Sequence, residues 1–162
     1  MKIAGVDHLA IAVSDLERSE RFYTEVLGGT VIHRHGDRAY ERAARRTPQV
    51  VVALGEARFA LCGAPPEVPQ GHFVHWALQG RFEDLDGWLE RFRKHGVKYS
   101  GPYGHGGVGL ISIYFPDPDG YLLEITVDAG SWERAKAAVK QRNGLFGNPL
   151  ATYDADEWDQ GR

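Results

Sequence analysis

The sequence predicts an α+β fold in which one β-α-β-β-β unit occurs twice and a C-terminal helical extension follows. Three observations carry this expectation. Hydrophobic periodicity switches repeatedly between two and about 3.6, so strands and helices alternate along the chain. The landmarks of the first half recur in the second: His8 precedes Gly29 by 21 residues, and His75 precedes Gly96 by 21. His8-Leu9-Ala10-Ile11 and His75-Trp76-Ala77-Leu78 also match in residue type and parity. An internal repeat of this kind decides the fold before any single element does.

The elements follow in order. Val6 to Val13 alternates with period two, placing His8, Ala10 and Ala12 on one face and Leu9, Ile11 and Val13 on the other. Ser14-Asp15-Leu16-Glu17 reads as a capping box with Ser14 as the N-cap. Leu16, Phe22, Tyr23, Val26 and Leu27 then recur at helical spacing up to the stop at Gly28-Gly29. Thr30 to His35, Val50 to Leu54 and Arg58 to Cys62 are strands, and the polar, basic residues 36–48 read as a long loop or a poorly determined element. Ala64-Pro65-Pro66-Glu67-Val68-Pro69 is a hinge, since its prolines fit neither a helix interior nor a central strand.

The order then repeats. His72 to Leu78 is a strand, and Leu85, Trp88, Leu89 and Phe92 mark a helix ending at Gly96. Val97 to Ser100, Leu110 to Phe115 and Tyr121 to Val127 are three further strands. Residues 1–130 are therefore expected to form one domain, with unit one at 4–63 and unit two at 72–128. Residues 131–162 form a C-terminal helix and tail, in which Ser131 caps a stripe of Trp132, Ala135, Ala138 and Val139.

Composition narrows the function. A net charge of −3 over 162 residues gives no electrostatic reason to expect nucleic acid. No run approaches the roughly 20 apolar residues of a membrane span. A single cysteine, Cys62, rules out an internal disulfide framework, and the opening residues lack a signal-peptide pattern. A cytoplasmic protein is expected.

Three side chains stand out chemically. His8 and His75 occupy matching places in the two units, and Glu124 is a lone acid in the apolar strand Tyr121-Leu122-Leu123-Glu124-Ile125. A carboxylate buried there costs several kcal/mol unless a cation or hydrogen bonds compensate it. Two imidazoles and one carboxylate form the facial triad suited to a divalent metal with open positions, Fe(II) among them. The stretch GPYGHGGVG, Gly101 to Gly109, spells G-x-G-x-x-G, but a dinucleotide fingerprint needs a helix after it. Here the loop leads into the strand Leu110 to Phe115. The glycines are expected to serve His105 instead.

The doubled unit with His8, His75 and Glu124 resembles the vicinal oxygen chelate superfamily: glyoxalase I, fosfomycin-resistance enzymes, bleomycin-binding proteins and extradiol ring-cleavage dioxygenases. The resemblance covers about residues 4–128 and rests on DHLAIAVSDLERSERFYTEVLG and YFPDPDGYLLEI. It implies two units forming a cupped, incomplete β-barrel around one metal ion, with His8, His75 and Glu124 as ligands, from one chain or from two subunits of a homo-oligomer. Glyoxalase-type sites use a further carboxylate on the last strand of unit one, and Arg58 to Cys62 carries no acid.

The run from His105 through Tyr114 to Glu124 is similar to the extradiol dioxygenase signature. That similarity implies an Fe(II) enzyme (Mn(II) the alternative) of aromatic catabolism, acting with O2 on a small catechol-like substrate. His105 would act beside the O2 site, and Tyr114 would hold the substrate oxygen. Two departures accompany it: Tyr103 stands where the family favours a small residue, and unit one's last strand lacks an acid/base histidine, His72 being the nearest candidate. The alternatives are a glyoxalase- or fosfomycin-resistance-type metal-dependent lyase or transferase, and a non-catalytic small-molecule-binding protein of the same fold.

Overall fold

The computed structural model describes residues 5–160. The chain divides into two compact units, one running up to Val68 and including Asp117–Gly120, the other comprising Pro69–Pro116 and the chain from Tyr121 on. The architecture is mixed α+β, with two open sheets and no closed barrel among the described residues.

Unit one contains β1 (Leu9–Val13), α1 (Leu16–Arg21), β2 (Thr30–His35), α2 (Ala39–Ala43), β3 (Gln49–Leu54) and β4 (Ala57–Gly63), and α1 continues as a wider π-helical turn at Phe22–Val26. The sheet order is β1-β4-β3-β2, and β1 runs parallel to β4 with Leu9 opposite Phe59. Val13, Tyr23, Val52, Phe59 and Leu61 are fully buried. Side chains of this size each stabilise the fold by about 1.5–3 kcal/mol.

Unit two contains β5 (Trp76–Gly80), α3 (Leu85–Lys94), β6 (Ser100–Gly104), β7 (Leu110–Pro116), β8 (Leu122–Asp128), α4 (Trp132–Gln141), β9 (Leu145–Asn148), β10 (Ala151–Thr152) and α5 (Ala155–Gln160). The sheet order is β10-β9-β6-β7-β8-β5, and β5 runs parallel to β8 with Trp76 opposite Leu123. The first strand of each unit thus pairs with the last of its β-α-β-β-β run. Period-two alternation sorts the sheet's faces. Ile111, Ile113, Phe115, Leu123, Ile125 and Val127 are buried, and Phe92 of α3 meets Phe115 at a ring separation of 4.5 Å. The opposite parity leaves Ser112, Tyr114 and Glu124 together on the other face.

Four local expectations are corrected. Residues 36–48 hold helix α2, because the buried carboxylate of Glu41 accepts from the Gly36 and Arg38 amides at 3.1 and 3.2 Å and from Arg46 at 3.1 Å. The N-cap of α1 is Asp15, which accepts from the Arg18 amide at 3.0 Å. Ser14 is engaged by Asp119, to which its amide and hydroxyl donate at 3.2 and 2.5 Å. The strand expected at Val97 to Ser100 lies at Ser100–Gly104, so the first half of the glycine stretch is β6. The tail beyond α4 forms β9, β10 and α5.

Candidate metal centre

Glu124 sits on β8 directly opposite Tyr114 on β7 and beside Ala77 on β5. Its side chain is almost wholly buried, on the face away from Leu123 and Ile125. Three side chains lie against it, the third being the hydrogen-bonded hydroxyl of Tyr114. His75, just before β5, places Nε2 2.9 Å from Oε2. The Ser112 hydroxyl, itself inaccessible to solvent, donates to Oε1 at 2.5 Å.

The other nitrogen of His75 decides what this pair can do. Nδ1 lies 3.0 Å from the carbonyl oxygen of His72, a group that can only accept. A neutral imidazole has one N–H. Given to that carbonyl, it leaves the Nε2 lone pair facing a carboxylate, and a cation satisfies both. Two adjacent ligands of an octahedral ion, each about 2.1 Å from it, stand about 3.0 Å apart, close to the observed 2.9 Å, which is also an ordinary hydrogen-bond distance. One nitrogen and one carboxylate at that separation are two donors of the kind a divalent metal takes.

His8 is held in the same way in unit one. Its Nδ1 lies 2.9 Å from Asp7 Oδ2, while Arg58 donates to Asp7 Oδ1 at 3.0 Å. A carboxylate on one ring nitrogen orients the ring and leaves the other nitrogen to bind metal. His8 borders a hollow of about 220 Å³ lined also by His35, Gln49, Arg58 and Ala60. Among the described residues no three His, Cys, Asp or Glu side chains gather within reach of one ion. His75 and Glu124 are brought together in unit two, and His8 belongs to unit one.

His105 and Tyr114 both border the pair. His105 Nε2 lies 2.7 Å from Ser112 Oγ. Burial lowers the pKa of His105, against the pull of Glu124. Tyr114 is opposed to Glu124 across the ladder, and burial, reinforced by the Glu124 charge, pushes its hydroxyl up to about 12. The phenol therefore stays protonated and can donate. His72 packs against Tyr114 with ring centroids 4.7 Å apart and the planes tilted by 59°, and burial, then the neighbouring His75, lowers its pKa.

Ser112 and Asp7 escaped the sequence reading. Ser112 had a signal, as the one polar residue with Tyr114's parity in Leu110-Ile111-Ser112-Ile113-Tyr114. Asp7 had only its adjacency to His8.

A family model, the Glyoxalase/Bleomycin resistance protein/Dioxygenase superfamily, matches residues 5–125. The chain belongs to this superfamily. Within it, the chain is 31% identical over 140 residues to Glutathione transferase FosA of Serratia marcescens, covering 86% of this chain and 91% of the relative. It is 26% identical over 129 residues to Metallothiol transferase FosB of Staphylococcus epidermidis, covering 77% and 82%. A mutant of the fosfomycin resistance protein FosX from Listeria monocytogenes, solved with Mn(II) and 1S,2S-dihydroxypropylphosphonic acid, shares the superfamily fold. Its TM-score is 0.63 at 24% identity, over 82% of this chain and 98% of that one.

These relatives overturn the extradiol expectation. A ring-cleavage dioxygenase of aromatic catabolism using O2 and a catechol gives way to the fosfomycin-resistance group, which had stood as the alternative. The His105–Tyr114–Glu124 spacing misled because it reports strand parity. In the structure, His105 spends Nε2 on Ser112. No helix among the described residues is long and apolar enough to cross a membrane.

Proposed function

We propose that this chain is a divalent-metal-dependent enzyme that adds a nucleophile, a low-molecular-weight thiol, to a small oxygen-chelating substrate. The observation that carries this is the His75–Glu124 pair, with His75 Nδ1 3.0 Å from the His72 carbonyl oxygen and Nε2 2.9 Å from the Glu124 carboxylate. His75 and Glu124 would hold the metal with His8, supplied by the same chain or by a second copy. This nitrogen and carboxylate set suits a divalent cation, and the Mn(II) held by the FosX relative supports Mn(II) over Fe(II). Bound there, a divalent cation polarises a substrate oxygen as a Lewis acid.

The chain's own residues do the rest. Asp7 and the His72 carbonyl orient the two imidazoles. Tyr114, protonated because burial holds its pKa near 12, donates a hydrogen bond to an oxygen that gains charge as the nucleophile adds. A cytoplasmic setting, where such thiols are abundant, fits the reaction.

The test is Mn(II)-loaded protein incubated with fosfomycin and glutathione or cysteine, followed by phosphorus NMR with and without O2. Adduct formation that is abolished by chelator, lost in His75→Ala and indifferent to O2 is expected. A metal-loaded protein inert towards fosfomycin and other small electrophiles with every thiol tried would refute the assignment.

A further inference from the structure

The C-terminal segment lies beyond the matched residues 5–125, yet hydrogen bonds run from it to Glu124. β9 pairs with β6 in parallel, setting Phe146 beside Gly104. The contact is close enough that a Cβ on Gly104 would stand 2.8 Å from the Phe146 ring. The Tyr153 amide donates to the Phe146 carbonyl at 3.0 Å, fixing Tyr153 to β9. From there its hydroxyl reaches the loop between β6 and β7, accepting from the Gly106 amide at 2.5 Å and donating to the Gly104 carbonyl at 3.5 Å. His105 lies between those two glycines. The loop's own closure, His105 N–H to the Leu110 carbonyl at 3.1 Å, completes the frame.

The order of donors beyond His105 is fixed by elimination. The Ser112 hydroxyl has one hydrogen and gives it to Glu124 Oε1. Ser112 Oγ must therefore accept from His105 Nε2–H at 2.7 Å. Ser112 is fully buried.

We infer that His105 is a positioning residue for the metal centre, acting on Glu124 through Ser112, and that Tyr153 of the C-terminal segment holds the loop that presents it. The inference rests on Glu124 being a metal ligand. Without the His105 donor, the Ser112 hydroxyl can turn from Glu124 to its other partner, Tyr114, and Glu124 Oε1 is held less tightly. Hydrogen-bonded partners of this type change metal affinity by roughly 10–100-fold.

The test uses the full chain, with Mn(II) affinity measured by calorimetry and Co(II) alone as a spectroscopic probe of ligand geometry. His105→Ala should weaken Mn(II) binding about 10-fold and shift the Co(II) visible bands, and His105→Gln, which keeps an N–H donor at that reach, should restore most of the loss. Tyr153→Phe should weaken binding about 3-fold in the wild-type background and produce no further loss on top of His105→Ala, because the two act in series.

Thermal melts of each metal-free variant check folding, and the two conservative variants keep the test usable if His105→Ala is unstable. Metal affinity within twofold of wild type in His105→Ala, or independent multiplying losses for the two sites, would overturn the inference. Wild-type protein that binds neither Mn(II) nor Co(II) removes the proposed function and this inference together. Wild-type binding that is lost in His75→Ala but untouched in His105→Ala removes this inference alone.

Discussion

Replacing Glu124 by Gln separates a metal centre from a structural ion pair. Glu124 is buried, accepts from Ser112 at 2.5 Å and faces His75 Nε2 at 2.9 Å. If the pair exists for stability, removing one charge from it should destabilise the protein by about 3–5 kcal/mol. For a chain of this length that lowers Tm by roughly 6–20 °C. If the pair awaits a cation, the expectation differs. The Gln amide oxygen still accepts from Ser112, and its NH2 donates to the Nε2 lone pair that the carboxylate opposes. The metal-free variant should then melt within about 2–4 °C of wild type, a change of about 1 kcal/mol or less.

Mn(II) supplies the other half of the contrast. At 100 times Kd it should stabilise wild type by about 2.7 kcal/mol, raising Tm by roughly 5–11 °C, and leave Glu124→Gln unchanged. Differential scanning fluorimetry after chelator treatment, with and without Mn(II), reads both. A metal-free Glu124→Gln protein destabilised by more than about 3 kcal/mol, the loss expected from breaking a buried pair, would refute the reasoning, as would a Mn(II) shift that survives the substitution.

Three further outcomes are expected. Asp7→Ala removes the acceptor on His8 Nδ1 and should weaken Mn(II) binding about 10-fold by calorimetry, with the metal-free melt little changed. Hydrogen bonds from Arg142 hold the Asp86 carboxyl below its usual 3.8. Their contribution is present above about pH 4 and is lost as pH falls through the lowered value. Arg142→Ala should therefore destabilise by up to about 1 kcal/mol at neutral pH, with the difference from wild type closing in acid melts. Phe92→Ala empties a fully buried site against Phe115 and should destabilise by about 3–5 kcal/mol in urea unfolding.

Much of this was legible in the sequence because repetition and parity survive without coordinates. The matching positions of His8 and His75, and a lone acid among the leucines of β8, named three candidate ligands. The parity of β7 and β8 likewise put Tyr114 and Glu124 on faces of their own. Parity does not give register. That Tyr114 lies opposite Glu124, and Tyr103 opposite Ser112, follows from how β6, β7 and β8 align, which no single strand encodes. The loop at residues 36–48 failed as an expectation for a related reason. Its helix depends on one buried carboxylate gathering two amides and an arginine, and in sequence Glu41 is one charge among many.

The dioxygenase expectation failed at a deeper level, and the failure shows what spacing can carry. A histidine in a glycine-rich turn, a tyrosine on the next strand and a glutamate on the one after will converge on one face in any such β-α-β-β-β unit. The convergence follows from strand lengths and a tight turn. The reaction depends on where each convergent hydrogen is spent. Here the His105 N–H goes to Ser112 and the Ser112 hydrogen to Glu124. A single small polar residue thus stands between a histidine read as oxygen-facing and the buried glutamate. Ser112 on β7 is the position at which the His105 contact is passed on to Glu124.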